Sequence, residues 1–249
     1  MGMTMASTIE CIYPDWTAPS EVKACCTTRV GGVSRGDWAS LNLADHVEDD
    51  PADVACNRQR LQRFLQLPSE PQWLRQVHGT AVKRRGAMLE CADACFEDRR
   101  GAVCVVLTAD CLPVLLCNTS GTRVAAVHAG WRGLLAGVLE QAVAAFGEDP
   151  AQLLAWMGPA IGPDVFEVGD EVHVAFVDED PASEAHFVAH GAGHWLADLY
   201  GLASFRLHRC GIERVSGGGF CTFSMPQRFF SYRRDGITGR MASLIWLQP

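Results

Sequence analysis

Residues 101–133 read GAVCVVLTADCLPVLLCNTSGTRVAAVHAGWRG. Three apolar runs follow one another: GAVCVVLTADC (101–111), LPVLLCN (112–118) and TRVAAVH (122–128). Continuous apolar runs of this length, rich in Val and Leu and bounded by turn residues, predict strands buried on both faces. NTSG (118–121) is short enough for a hairpin turn between the second and third. Beyond His128 the pattern changes. Leu134, Leu135, Val138, Leu139, Ala142, Val143 and Phe146 recur at helical spacing, with Gly147 just past the end, which predicts a helix over 131–146.

Working outward, EVKACCTTRVGG predicts a strand over Val22 to Thr28 that runs into a Gly-rich loop. DDPADVACNRQRLQRFLQLP predicts a helix with Asp50 as its cap, Pro51 in the first turn, Asp53 at the positive end of the dipole and Pro68 as its stop. PQWLRQVHG predicts a strand ending near His78, and LLAWMGPAIG a strand followed by a Gly/Pro loop. HWLADLYGLASFRLHRCG predicts an amphipathic helix closed by Gly211. RVSGGGFCTF, FFSYRRDG and RMASLIWL are expected as loop and strand, and residues 1–15 as an irregular N-terminal segment. Strands mixed with helices, without regular alternation, predict a mixed α/β (α+β) fold. It is a single domain over residues 1–249, with a mixed β-sheet core flanked by helices.

Composition excludes several function classes. The 249 residues are 48% hydrophobic and 20% charged, which is globular. A formal net charge of -8 offers no basic stripe for nucleic acid or an anionic membrane surface. No segment reaches the ~20 apolar residues of a membrane span, and the N-terminus lacks the pattern of a signal peptide. The 11 cysteines are odd in number, scattered and without a CxxC pair. They indicate free thiols in a reducing, cytoplasmic compartment.

Three metal-competent side chains close three of these runs: His78 in RQVHG, Cys111 in TADCLP and His128 in AVHAGWRG. One cysteine among 11 is by default a small core hydrophobe, and a strand-end histidine by default a hydrogen-bonded side chain. The flanks argue otherwise, because Gly79, Ala129, Gly130 and Gly133 remove bulk where a ligand would approach. Two imidazoles and a thiolate suit Zn²⁺ and leave a fourth position open for water or substrate. The same residues could instead form a Cys nucleophile with a His base, served by backbone N–H groups at the start of the 131–146 helix. That arrangement has no use for the second histidine. His186, His190 and His194 repeat every four residues, but Gly191 and Gly193 interrupt any helix, so a solvated loop is expected there. Arg29, Arg132, Arg233 and Arg234 lie in Gly-containing loops where a guanidinium can grip phosphate or carboxylate. Asp93 and Asp110 are candidate acid/base or ligand-orienting groups.

TTRVGGVS, SLNL, WLRQVHG, TADCLPVLLC, AVHAGWRGL, WMGPAIGP, FEVG and FFSYRRDGITGRMAS occur in this order from Cys25 to the C-terminus. Together they resemble the bacterial laccase-domain family, which also carries the labels polyphenol oxidase, purine nucleoside phosphorylase and peptidoglycan editing factor. The resemblance implies a fold like that of certain toxin cysteine hydrolases. It also implies zinc held by His78, Cys111 and His128, with Arg29 and Asn42 on the substrate side beside Arg132 and Arg233. Two places depart from the family pattern: Cys91 stands where an arginine is usual before Asp93, and Gly219-Phe220 stand where Asp-Arg is more common.

The family's labels imply different chemistries. Multicopper oxidation needs roughly ten histidines with His-x-His pairs, and this chain has eight histidines and no such pair. Zinc is therefore expected, with copper the lesser alternative. The resemblance implies phosphorolysis of adenosine, inosine and methylthioadenosine, with adenosine deamination by attack of activated water at C6. The alternative is a cytoplasmic amidase that removes L-serine from UDP-linked muramic acid. A structural zinc in a non-catalytic protein would need a fourth protein ligand, for which Cys104 or Asp93 are the candidates. Small molecules are the expected partners of a monomer or weak homodimer.

Overall fold

Every residue of the three strands formed by the apolar runs (103–108, 112–118 and 124–129) is buried, yet these strands divide between two sheets. The computed structural model describes residues 8–249. In chain order the elements are β1 (Cys11–Ile12), β2 (Val22–Thr27), α1 (Pro51–Leu65), β3 (Val82–Lys83), β4 (Ala94–Glu97), β5 (Val103–Thr108), β6 (Leu112–Asn118), β7 (Val124–Ala129), α2 (Trp131–Leu135), α3 (Val138–Phe146), β8 (Leu153–Met157), β9 (Glu167–Gly169), α4 (Asp170–Glu179), β10 (Phe187–Ala189), β11 (His194–Ala197), α5 (Leu199–Arg209), β12 (Arg214–Gly217), α6 (Tyr232–Asp235) and β13 (Met241–Leu247). A four-stranded antiparallel sheet runs β1-β2-β13-β5, and a six-stranded mixed sheet runs β12-β8-β6-β7-β4-β3. A small sheet, β10-β11-β9, completes the set.

Strand alternation assigns the layers. Cys104 and Val106 of β5 join Leu115 and Cys117 of β6 and Ile245 of β13 in a core between the two large sheets. Val103, Val105 and Leu107 of β5 face the opposite way, onto Leu61 of α1. Val114 and Leu116 of β6 pack with Leu139, Ala142 and Phe146 of α3 and Leu202 of α5. The expected mixed β core flanked by helices is present, as two stacked sheets with a helical layer outside each. The chain crosses from one sheet to the other at Thr108–Cys111, between β5 and β6.

Local signals account for most of the ends. Asp50 caps α1 by accepting from the Ala52 amide (2.8 Å), with Pro51 as the first helical residue. Where the structure differs from expectation, a tertiary or capping interaction is responsible. The helix expected over 131–146 is two pieces, because Gly137 at φ +95° breaks it between α2 and α3. The helix expected from His194 starts only at Leu199, where the Asp198 carboxylate accepts from the Gly201 amide; residues 194–197 form β11 instead, paired with β9 and β10. In SYRRDG, Ser231 caps the short helix α6 through the Arg234 amide. PQWLRQVHG is not a strand. It touches β5 through one bridge, Gln72 to Cys104, and through the Gln76 side chain, which bonds both the amide and the carbonyl of Leu107. The expected irregular segment contains β1, paired with β2, and its first seven residues lie outside those described.

The inter-sheet core supports a stability prediction. Leu115→Ala, at a fully buried position, is expected to cost about 2–5 kcal/mol and lower the urea midpoint accordingly. Met88→Ala, at a fully exposed position, should move it by less than about 0.5 kcal/mol.

Candidate metal centre

Cys111 and His128 meet because of strand register. In the β6–β7 hairpin Pro113 lies opposite His128 and Leu112 opposite Ala129, which sets Cys111 across from Gly130. No side chain fits at Gly130: a Cβ there would sit 2.7 Å from His78 Cδ2 and 2.9 Å from Cys111 Sγ. Gly133 is tight but less constrained, with Gly79 O 3.0 Å from the place of its Cβ. Of the small residues flanking the site, Gly130 is the one required by space, whereas a Cβ at Gly79 would meet only ordinary contacts.

His78 is delivered by a carboxylate rather than by a strand end. Asp93, fully buried, accepts from the amides of His78 (2.9 Å), Gly79 (2.7 Å) and Val77 (3.2 Å). The same carboxylate accepts from His128 Nδ1 at 2.8 Å. A carboxylate so engaged only accepts, so Nδ1 carries the proton and His128 presents Nε2 to the site. Burial works against the charge of Asp93, but the His128 ring and the amides of Gly79 and Val77 hold its carboxyl below the usual value. His78 itself is left-handed at φ +60°, a conformation that histidine tolerates better than most residues.

The other ligand turn is fixed the same way. Asp110 is left-handed at φ +89°, with Oδ1 accepting from Thr222 Oγ1 (2.6 Å) and Oδ2 from the Arg233 amide (2.6 Å). Its carbonyl accepts from the Ile161 amide. Three segments thus pin the corner from which Cys111 projects.

His78, Cys111 and His128 bring one donor atom each to within 4.8 Å of one another, with Cys111 Sγ 3.7 Å from His78 Nε2. A tetrahedral ion with ~2.3 Å to sulfur and ~2.05 Å to nitrogen would separate a sulfur and a nitrogen donor by about 3.6 Å, so the Cys111–His78 distance is one that zinc can span. The donor set, two imidazoles and a thiolate, is also what zinc prefers. Burial alone would raise the Cys111 thiol, yet the two imidazoles bring it down to about 6. Burial alone would lower His128, yet Cys111 and Asp93 push it up to about 9. Without an ion the pair is therefore a thiolate beside an imidazolium near neutral pH; the thiolate is ready to ligate, and metal binding would displace the proton from His128 Nε2. Among the described residues this is the one group of three or more such donors. Cys104 lies instead in the inter-sheet core, 3.0 Å from Cys95, and Asp93 is spent on amides and His128, so neither supplies a fourth ligand.

The triad opens onto a cleft of about 590 Å³. Its walls carry three guanidinium groups, each beside an aromatic ring: Arg132 on Trp131 (4.2 Å), Arg233 on Phe166 (5.3 Å) and Arg240 on Tyr232 (5.8 Å). None of the three has a carboxylate oxygen within 4 Å among the described residues. Burial lowers the Arg240 guanidinium, opposed by Cys111 and Asp110. The cleft is a locally cationic site in a chain of net charge -8.

Of the residues expected at the site, His78, Cys111, His128, Asp110, Arg132 and Arg233 line the cleft, and Asp93 stands directly behind it. Arg29 and Asn42 lie outside the lining. Arg29 donates to Ala39 O and Pro226 O and sits over Phe230, while Asn42 is fully buried and braces Arg240 by accepting from its amide. Arg234 is likewise consumed by Asp235 and by the carbonyls of Thr222, Phe223 and Phe229. The two departures from the family pattern miss the cleft: Cys91 does not line it, and Gly219-Phe220 line a separate hollow beside Tyr200 and Cys221. The solvated loop expected at 186–194 is a hairpin in which His190 and His194 flank Glu167, and His186 stands apart. α2 has five residues, so no long helix dipole serves an oxyanion at its start. Sequence reading missed Arg240, His46 and Gln76 as cleft residues. Arg240 immediately precedes the apolar run of β13, a signal that shows only once the partner of that strand is known.

Comparison with known proteins identifies relatives along nearly the whole chain. Residues 23–248 match the family model described as multi-copper polyphenol oxidoreductase laccase. A protein of Shigella flexneri named purine nucleoside phosphorylase YfiH is 54% identical over 95% of this chain and 98% of its own. A purine nucleoside phosphorylase of Pseudomonas aeruginosa is 53% identical over the same shares. Among solved structures, a Neisseria meningitidis protein superposes with a TM-score of 0.91 at 48% identity, covering 96% of this chain and 99% of its own. YlmD from Geobacillus stearothermophilus gives 0.85 at 29% identity, covering 98% and 100%.

Two substitutions test how the centre is built. Gly130→Ala is expected to push His78 and Cys111 apart and reduce bound metal, measured by plasma mass spectrometry, with little change in circular dichroism. Asp93→Asn should weaken metal affinity by about 10–100-fold in a competition titration, because it loosens two ligands at once.

Proposed function

The chain belongs to the multi-copper polyphenol oxidoreductase laccase family, and from that premise we propose that it is a zinc-dependent purine nucleoside phosphorylase that also deaminates adenosine. The observation that carries this reading is a three-ligand His/Cys/His centre facing a cleft with three guanidinium groups unpaired to any carboxylate. Three protein ligands leave a coordination position for chemistry, and the unpaired cations suit an anionic co-substrate. The names of the relatives point to the same activity. The 11 cysteines, all free, support a reducing, cytoplasmic setting, and no helix is long and apolar enough to cross a membrane.

His78, Cys111 and His128 would hold the ion, which when bound supplies an electrophile beside the reacting nucleoside. Asp93 keeps His128 in the Nδ1–H tautomer and holds the His78 loop. Arg132 and Arg233, both at the exposed rim, contact the substrate there, and which guanidinium takes the phosphate is left open by this reading. Trp131 and Tyr232 offer faces on which a purine can stack. In phosphorolysis a phosphate oxygen bonds to C1′ as the C1′–N9 bond breaks. The electron pair leaves with the purine, which takes up a proton from solvent. In deamination water adds at C6 and ammonia leaves. Asp110, the carboxylate lining the cleft, keeps one lone pair on each oxygen free to carry the proton between them.

A multicopper oxidase is not supported, because the remaining histidines gather no second cluster among the described residues. A second reading, hydrolysis of a UDP-linked muramoyl-L-serine amide, is favoured by the openness of the cleft and the arginines at its rim. A third keeps Cys111 as a nucleophile, favoured by the Cys111–His128–Asp93 alignment.

Cys111→Ser and His78→Ala separate these readings. Both are expected to lose zinc and phosphorolysis of inosine together, by about 100-fold or more in kcat/KM, with the fold retained. Loss of turnover in Cys111→Ser with full zinc would transfer the case to the nucleophile. Full turnover without zinc would remove the metal from the mechanism. Wild-type protein that spares nucleosides but hydrolyses UDP-muramoyl-L-serine would establish the amidase.

A further inference from the structure

We propose that Arg240, with the hydroxyl of Thr108, forms the orthophosphate subsite of this cleft. The assignment rests on the phosphorylase reading above and names the part of the site that reading leaves open. Met241 pairs with Thr108 across β13 and β5, so Arg240 lies opposite Ala109, at the corner that carries Asp110 and Cys111. It is the least exposed of the three guanidinium groups: Arg132 and Arg233 are exposed, whereas Arg240 is half-buried in the cleft wall. A partly desolvated cation binds an anion more strongly than one at the rim.

The group is also held ready. Its Nη1 donates to its own chain, at Thr238 O (2.8 Å) and Gly239 O (2.9 Å). Its amide donates to the buried Asn42 at 3.0 Å. Gly239 is required beside it, because a Cβ there would lie 2.7 Å from the Phe230 ring and 2.9 Å from Asn42 Cβ. Nε and Nη2, the side-on fork that grips two oxygens of a phosphate at once, have no acceptor among the described residues. An arginine fixed at one end and open along its fork loses little freedom when an anion arrives.

Thr108 supplies the second, independent observation. It lines the cleft at 1% exposure, and its Oγ1 has no hydrogen-bond partner among the described residues. A buried hydroxyl without a partner costs free energy unless a ligand or water completes it. Asp110, the nearest carboxylate on that corner, is already engaged by Thr222 and by the Arg233 amide. Arg240 and Thr108 line the same cleft as His78, Cys111 and His128, so a phosphate bound by the fork and the hydroxyl would share that cleft with the nucleoside.

The test compares Arg240→Ala, Arg240→Lys and Thr108→Val as zinc-loaded full-length proteins, in inosine phosphorolysis at varied phosphate and in calorimetric binding of orthophosphate and of UDP. Arg240→Ala is expected to raise the phosphate KM and Kd about tenfold or more, with inosine KM within about twofold and zinc content unchanged. Arg240→Lys, which keeps the charge but not the fork, should fall between, and Thr108→Val should weaken phosphate about threefold. An unchanged phosphate KM in both Arg240 variants, or an equal loss for inosine, overturns the assignment. If wild-type protein releases no base from inosine, the phosphorylase reading fails and the orthophosphate Kd alone decides the subsite. Tenfold weaker binding by Arg240→Ala then sustains it. Unchanged binding, no binding by wild type, or weakened UDP with intact orthophosphate overturns it.

Discussion

One carboxylate organises the centre. Asp93 is fully buried, and its two oxygens take up the amides of residues 77–79 together with Nδ1 of His128. Two of the three metal-competent side chains are thus referred to the same pair of atoms. A loop without regular secondary structure would otherwise have no reason to hold an imidazole within reach of β7. The cost of burying the charge is offset by four donors, an arrangement far more favourable than leaving either the charge or the amides unpaired. The third ligand, Cys111, is tied down by Asp110 in an equivalent manner, so both ligand turns are pinned by acidic side chains.

The stacked sheets explain why the cleft lies where it does. The chain leaves the four-stranded sheet at Thr108 and enters the six-stranded sheet at Leu112. The turn between them stands at the rim common to both layers. β13 brings Arg240 to the same rim from the first sheet, while the β6–β7 hairpin brings His128 from the second. Residues from two sheets can therefore face one ligand, and each is braced by a packed layer on either side. That is the rigidity a preorganised site needs.

Much of this was legible in the sequence. The apolar runs at 103–128 gave their strands because continuous burial on both faces leaves no other pattern. Asp50-Pro51 marked the start of α1 because the cap and the fixed φ of proline act locally. His78, Cys111 and His128 stood out by residue type and by the glycines beside them, and space does require Gly130. Asp93 and Asp110 were visible as candidates, though not the amides they bind. Asn42 and Arg29 carried a substrate-side expectation, and the structure gives them bracing contacts instead.

The sequence by itself determined the strands β2, β5, β6, β7, β8 and β13, the start of α1, and which three side chains are metal-competent, because periodicity, capping and side-chain chemistry act within a few residues. Only the tertiary structure decided which strands share a sheet, where the 131–146 helix breaks, and that the irregular segment 71–79 reaches the centre through the side chain of Gln76 and the carboxylate of Asp93. It also decided that Arg240, rather than Arg29, faces the ligands. Strand pairing between residues 108 and 241 depends on long-range burial and hydrogen bonding, and no local pattern in the chain encodes that partner.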